Sequence, residues 1–253
     1  MKKAMAGLAA LVLTVAPAAG QANVTEVPLA VEGGRLVVPV DGPHGSELTF
    51  AISTGNAYTV LSETVATHLQ GGELLLGGHP IPTDQVSTFP DDQLVSNGAA
   101  VDGLVAADFL SNYDVLIDAP AGRLLLRPVG RKADWEGVAL GEPMRIRVYH
   151  GVAISMSAMV DGRETAATLE LGTPLVIANP ALQEAMGLEA EGTGSIGLAG
   201  RTFDGLPLEV RDMSIFERWD PNGNGFVLVG APIAWECAIA LSYVHAELRT
   251  CSR

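Results

Sequence analysis

The apolar positions of this chain fall mostly in short runs closed by Gly, Pro, Asn or Asp, the pattern of many brief strands rather than long helices. Arg35–Val40 and Glu47–Ile52 read as paired strands joined by a turn at Asp41-Gly42-Pro43-His44-Gly45. Ser62 is an N-cap for a short helix over Glu63–Leu69, which stops before Gly71-Gly72. Leu74–Ile81, with Gly77-Gly78 at its centre, reads as a hairpin. Further along, Ile146–Met159 and Glu164–Leu169 read as strands with a turn at Asp161-Gly162. Asn179 caps a helix with Pro180 at its first position, and Ser195–Leu198 with Thr202–Leu206 forms a hairpin through Ala199-Gly200-Arg201.

These elements come in the same order twice. Phe50-Ala51-Ile52-Ser53-Thr54-Gly55-Asn56-Ala57-Tyr58-Thr59-Val60-Leu61-Ser62 has a second copy in Thr168-Leu169-Glu170-Leu171-Gly172-Thr173-Pro174-Leu175-Val176-Ile177. Gly103–Leu110, followed by Tyr113–Asp118 and Gly122–Leu126, is echoed by Phe226–Ile233, Cys237–Ser242 and Glu247-Leu248, with Ala106 aligned on Gly230. A unit of this length is a lobe rather than a solenoid repeat. The boundaries expected are one lobe over 23–130, a charged, turn-rich linker over 131–141, beginning to change character at Arg127, and a second lobe over 142–253.

The start of the chain stands apart. Lys2 and Lys3 precede an apolar run over Ala4–Ala16, Pro17 breaks it, and small residues lead to Ala22, which is the layout of a secretory signal peptide over 1–22. The run is shorter than the roughly 20 residues that span a bilayer, although retention as an anchor stays open. Removing it takes two lysines and no acid, moving the formal charge from −14 to −16. Such a surface repels nucleic acid and anionic lipid, and an exported, periplasmic or extracellular protein follows. In an oxidising compartment the two cysteines, Cys237 and Cys251, read as one disulfide, and two thiols do not make a zinc site.

The duplicated motif resembles the active-site segment of the retropepsin-like and pepsin-like aspartic proteases, in a small, bacterial, exported, two-lobed form. The resemblance runs from about Val31 to Leu248 and is carried above all by Phe50–Ser62 and Gly103–Leu126. It implies an all-β fold with short helices, in which two tandem β-barrel lobes are related by a pseudo-twofold axis. It places Ser53 and Glu170 face to face at that axis, flanked by Thr54, Gly55, Asn56, Leu171, Gly172 and Thr173, with Leu74–Ile81 and Ser195–Phe203 as candidate flaps. Both positions where the family carries its catalytic aspartates are then changed. Leu171 also replaces a threonine of the hydrogen-bond cradle, and Ala106 replaces a glycine.

Those changes bear on chemistry. An aspartic protease needs two adjacent carboxylates sharing a proton, whose repulsion separates their pKa values. A serine at 53 carries no charge to share, and Glu170 is one methylene longer than aspartate. No catalytic residue is therefore expected, and the reading is a pseudoprotease that binds an extended peptide or protein segment, or acts as a scaffold. Glu170 either receives a cationic or hydrogen-bond-donating group or sits protonated against Ser53. The alternative is an atypical peptidase using Glu170 with another acid: Asp102 and Asp108 flank the Ala106 step, which the resemblance places near the axis, and either serves only if it points inward.

Three weaker patterns are read blandly. None of His44, His68, His79, His150 or His245 sits in a catalytic signature that would activate Ser53. Gly192-Thr193-Gly194-Ser195-Ile196-Gly197 matches a dinucleotide glycine pattern, but no helix follows, so it reads as a hairpin entry and no cofactor is expected. Asp220, Asn222 and Asn224 alternate like the start of a calcium loop, yet Ala231 stands where its last ligand belongs, which favours an ordinary turn and no metal.

Overall fold

A computed structural model describes residues 24–69, 71–130, 135–220 and 222–252. The leader read at 1–22 and residues 131–134 of the linker lie outside them. The first half runs through β1 (Thr25–Pro28), β2 (Ala30–Glu32), β3 (Arg35–Asp41), β4 (Glu47–Ile52), β5 (Val60–Ser62), α1 (Glu63–Leu69), β6 (Leu75–Leu76), β7 (His79–Pro80), β8 (Ser87–Phe89), β9 (Val95–Ser96), β10 (Ala99–Ala100), β11 (Gly103–Val105), α2 (Ala107–Leu110), β12 (Tyr113–Asp118) and β13 (Arg123–Pro128). The second half runs through β14 (Met144–Arg145), β15 (Arg147–Tyr149), β16 (Ala153–Val160), β17 (Arg163–Leu169), β18 (Val176–Ala178), α3 (Pro180–Met186), β19 (Glu191–Leu198), β20 (Arg201–Val210), α4 (Ser214–Trp219), β21 (Phe226–Val229), α5 (Pro232–Trp235), β22 (Ile239–Ser242) and β23 (Glu247–Thr250).

The repeat in the sequence is a repeat in strand pairing. β11 lies parallel to β4 and antiparallel to β5, with Leu104 beside both Ala51 and Val60. β21 lies parallel to β17 and antiparallel to β18, with Leu228 beside both Thr168 and Ile177. A strand flanked on both edges and covered on both faces needs apolar residues at every position. Phe50 and Ile52 accordingly face the main core while Ala51 joins Val37, Val60, Leu94, Val101 and Leu104 on the other side. The second half copies this: Val227 and Val229 face the main core, Phe226 and Leu228 a smaller one with Phe216.

The halves also share a sheet that the repeat alone does not announce. Six strands run in the order β1-β13-β12-β22-β23-β14, three from each half, and the junction is the antiparallel pairing of β12 with β22, Val115 opposite Leu241 and Ile117 opposite Ile239. One face of this sheet enters the main core, which is continuous between the halves. The other buries Leu116, Leu125, Ala238 and Ala240 beneath Trp135, Val138 and Leu140. The described part of the expected linker is thus packed on the shared sheet, with the Arg127 guanidinium 4.3 Å from the Trp135 ring centre. Arg127 and Pro128 belong to β13 rather than to a connector.

Local signals hold closely in several places. Ser62 Oγ accepts from the Val65 amide at 3.1 Å, and Asn179 Oδ1 from the Leu182 amide at 3.0 Å. The Asp161-Gly162 and Ala199-Gly200 turns both have two residues at positive φ, the two-residue turn that suits strand twist. The glycine pattern at 192–197 lies within β19. Two readings are corrected. Ile146–Met159 is not continuous: His150 and Gly151, at φ 52° and 78°, turn the chain back so that β15 pairs with β16. Neither proposed flap is free to serve as one. The Leu74–Ile81 hairpin is fixed to its own half, with Thr25 Oγ1 2.9 Å from His79 Nε2 and Tyr113 against the His79 ring. The tip of the Ser195–Phe203 hairpin is held at the chain's far end, where Thr250 Oγ1 donates to Ala199 O and Arg201 Nη1 to Ser252 O.

Cys237 and Cys251 form a disulfide, 14 residues apart, that joins the end of α5 to the residue after β23. Closing a loop of that size stabilises by about 3 kcal/mol in the chain-entropy view. Cys237→Ser with Cys251→Ser is expected to lower the urea midpoint by a corresponding amount without changing which strands form, as read by denaturant melts and far-ultraviolet dichroism.

Candidate functional site

The two motif loops leave their strands symmetrically. Ser53 N donates to Val105 O and Glu170 N to Val229 O, both at 2.9 Å. Each loop then closes on the segment after the third strand: Ala107 N donates to Asn56 O at 3.1 Å and Ala231 N to Thr173 O at 2.8 Å. This brings the ends of β4 and β17 together, with Ser53 and Glu170 at the seam.

Glu170 reaches across that seam. Its Oε2 accepts from Ser53 Oγ and from the Gly55 amide, each at 2.9 Å, and its Oε1 accepts from the Gly172 amide at 2.6 Å. One carboxyl group thus takes an amide from each loop. Both glycines are needed for this approach: a Cβ on Gly55 would lie 2.5 Å from Oε2, and one on Gly172 would lie 2.6 Å from Oε1. Asn56 fixes the serine, its Nδ2 and backbone N donating to Ser53 Oγ at 2.8 and 3.3 Å. With those acceptor sites filled, the Ser53 hydroxyl hydrogen is directed at Glu170.

The brace between the loops is one-sided. Thr54 Oγ1 donates to Leu169 O at 2.8 Å and accepts from the Leu171 amide at 3.1 Å. Leu171 has no hydroxyl with which to return these bonds, and its side chain is buried in the core. Tyr243, from the turn between β22 and β23, adds a bond from its hydroxyl to Thr54 O at 3.2 Å. Burial pushes that phenol well above its ordinary pKa, with the Glu170 and Asp108 charges acting in the same sense.

The acids proposed as a second partner are engaged elsewhere. Asp102 Oδ2 accepts from the Thr49 amide, while Asp108 takes the Thr59 amide and hydroxyl and the Phe109 amide. They act as struts for the motif strands, and neither bonds to Glu170. Asp220 closes the turn before β21, accepting from the amides of Asn224 and Gly225 and from Asn179 Nδ2. Asp220, the first residue of the weak calcium-loop pattern, is thus engaged within its own turn. Among the described residues no three His, Cys, Asp or Glu side chains gather as metal ligands.

Sequence reasoning missed Arg35, although its register was available. The β3–β4 ladder runs toward the motif loop and ends at Val37 opposite Ala51, which leaves Arg35 two residues past that pair and near enough for its charge to act on Glu170. Burial raises the Glu170 carboxyl above its ordinary value of 4.5, while the bonds from Gly172, Ser53 and Gly55 and the nearby charge of Arg35 pull it back. Burial also lowers the Arg35 pKa, against the Glu170 charge. The sign for stability follows. Well below pH 4.5 the carboxyl is protonated whether folded or unfolded; as pH rises the unfolded chain ionises first, so the folded state loses its advantage through the raised folded pKa. The stability gap between wild type and Glu170→Ala is therefore expected to be widest in acid and to narrow with rising pH, as measured by urea melts from pH 4 to 8.

The comparisons agree with this geometry at the level of fold. The chain is similar to the crystal structure of aspartic proteinase from Irpex lacteus at a TM-score of 0.55 and 13% identity, over 91% of this chain and 97% of that one. The fold is aspartic-protease-like. No protein-family model matches the sequence, and no curated protein matches it significantly. The likeness therefore lies in strand topology. No helix among the described residues is long and apolar enough to cross a membrane, and this and the disulfide are compatible with export.

Proposed function

We propose that this chain is a non-catalytic relative of the aspartic proteases, a protein of the cell envelope that holds an extended peptide or protein segment between its halves. The observation that carries the reading is the state of Glu170: a single carboxyl at the seam, with both oxygens engaged by Ser53, Gly55 and Gly172. Acid proteolysis works by dividing a proton between two carboxyls, one activating water and the other donating to the peptide carbonyl. Ser53 takes neither role, because its oxygen is occupied by Asn56 and its proton by Glu170. The alternative, a peptidase pairing Glu170 with another acid, is disfavoured by the bonds that hold Asp102 and Asp108 to their own strands.

Binding without cleavage is supported by what surrounds the pair. The Gly33-Gly34 turn and the β9–β10 hairpin meet beside it, with Ser96 Oγ and Asn97 Nδ2 both donating to Gly33 O. Tyr58, two residues beyond Asn56, and Val95 on that hairpin are exposed apolar side chains suited to a partner. An extended segment laid against such hairpins gains backbone hydrogen bonds, and side-chain pockets give selectivity. The envelope location rests on the leader pattern and the disulfide. The test is digestion of casein and a mixed peptide library from pH 3 to 7. No cleavage is the expected result; pepstatin-sensitive cleavage that disappears in Glu170→Gln overturns the reading.

A further inference from the structure

We propose that Arg35 and Trp235 form a carboxylate-binding subsite beside Glu170, so that the segment held between the halves presents an acidic side chain or its own C-terminal carboxylate there. The inference rests on the peptide-binding reading above and names the chemistry of its ligand.

Arg35 follows the Gly33-Gly34 turn, pairs with Glu32 across it, and lies two residues before the Val37–Ala51 pair that leads into the first motif loop. Its Nη1 donates to Leu94 O at 2.8 Å, which fixes the direction of the guanidinium. Its Nε is buried with no acceptor among the described residues. The turn before it abuts the other half: a Cβ on Gly34 would lie 2.7 Å from Pro174 Cβ and 3.6 Å from Trp235 Cζ2. Cζ2 is on the edge of the indole that carries Nε1, and Trp235 Nε1 is likewise buried with no acceptor among the described residues. Two buried donors, one from each half, thus flank one short turn beside the seam.

A buried donor is costly to leave unmade, so such a pair favours whatever supplies acceptor oxygens. Glu170 is near enough for its charge to act on Arg35, but its oxygens are taken by Ser53, Gly55 and Gly172, and no hydrogen bond joins it to Arg35. A guanidinium edge, with an indole N–H across the same short turn, matches a planar carboxylate better than a neutral amide or a cation. Net charge points the other way: at −14 the molecule as a whole repels acidic chains. Selection would therefore come from this local pair and not from long-range attraction.

The test uses the disulfide-bonded protein without its leader and fluorescein-labelled octapeptide libraries. One position at a time is fixed as Asp, Asn, Lys or Leu, with free or amidated C-termini, and anisotropy reports binding. At one position Asp is expected to bind at least tenfold tighter than Asn, or the free C-terminus tenfold tighter than the amide; these outcomes identify a side-chain or a terminal carboxylate. Arg35→Gln abolishes that ratio, Arg35→Lys keeps part of it, and Trp235→Phe reduces it, with near-ultraviolet dichroism checking the fold. Peptides that bind without the preference, or a preference that survives Arg35→Gln, overturn the subsite and leave the binding reading standing. Failure of every peptide to bind overturns both.

Discussion

Gly230→Ala is expected to destabilise the protein by about 3 kcal/mol or more, among the largest losses available to a single added methyl group. An alanine Cβ there would overlap the Leu175 carbonyl oxygen and lie 2.7 Å from the Thr173 carbonyl oxygen. Both obstacles are backbone, so relief requires moving the loop that holds Glu170. The same loop is tied at Ala231 N to Thr173 O, 2.8 Å, which leaves little slack. The melting temperature is expected to fall by roughly 6–12 °C, taking about 2–4 °C per kcal/mol for a chain of this size. The mirrored position provides the control. Ala106 already carries a methyl group and is fully buried, so Ala106→Gly is expected to cost only about 1 kcal/mol, from backbone entropy and lost packing. Calorimetry of both variants checks the contrast. A Gly230→Ala melt within 2 °C of wild type would mean that the second loop yields easily.

Thr54→Val is the second large effect. The substitution keeps the shape and removes the hydroxyl that serves two backbone groups of the other half, Leu169 O and the Leu171 amide. Each buried group left without a partner costs about 1–3 kcal/mol, so a total loss of roughly 3 kcal/mol is expected. Thr54→Ser, which restores the hydroxyl, is expected to recover most of it. Because Leu171 offers no reciprocal bond, this loop then keeps its ties to the other half only through Glu170, which accepts from Ser53 and Gly55, and through the Tyr243 hydroxyl, which donates to Thr54 O, among the described residues. Thr54→Val is therefore expected to loosen the seam itself, seen as faster amide exchange at Gly55 and Gly172 than elsewhere in the sheets. Uniform exchange across the molecule at the same loss of stability would instead indicate a general packing defect.

How far the site was legible depends on the range of each interaction. The caps at Ser62 and Asn179, the turns at Asp161-Gly162 and Ala199-Gly200, and the strands over Arg35–Asp41 and Glu47–Ile52 are local. Each follows from side chains within a few residues, and the chain states them openly. The pairing of Ser53 with Glu170 was legible for a different reason: the repeated motif resembles that of the aspartic proteases, and that resemblance implies that the two copies meet at the axis between the lobes. The fate of the hairpins was not. Leu74–Ile81 has the glycine turn of a mobile arm, but Thr25, Val27 and Tyr113 hold it to its own half, and none of these is near it in sequence.

What the amino-acid order settles unaided is therefore the duplicated all-β plan, the positions of the two motif loops and the chemical identity of the pair they carry, since periodicity, turn residues and side-chain type are properties of short stretches. Folding in three dimensions settles the rest. It merges three strands of each half into one sheet, turns Asp102, Asp108 and Asp220 into struts, stretches the longer Glu170 side chain across to an amide of each loop, and brings Arg35 within range of that carboxyl's charge. These outcomes depend on which distant groups meet in a buried space, where every donor and acceptor competes for a partner, and no local pattern of residues encodes that competition.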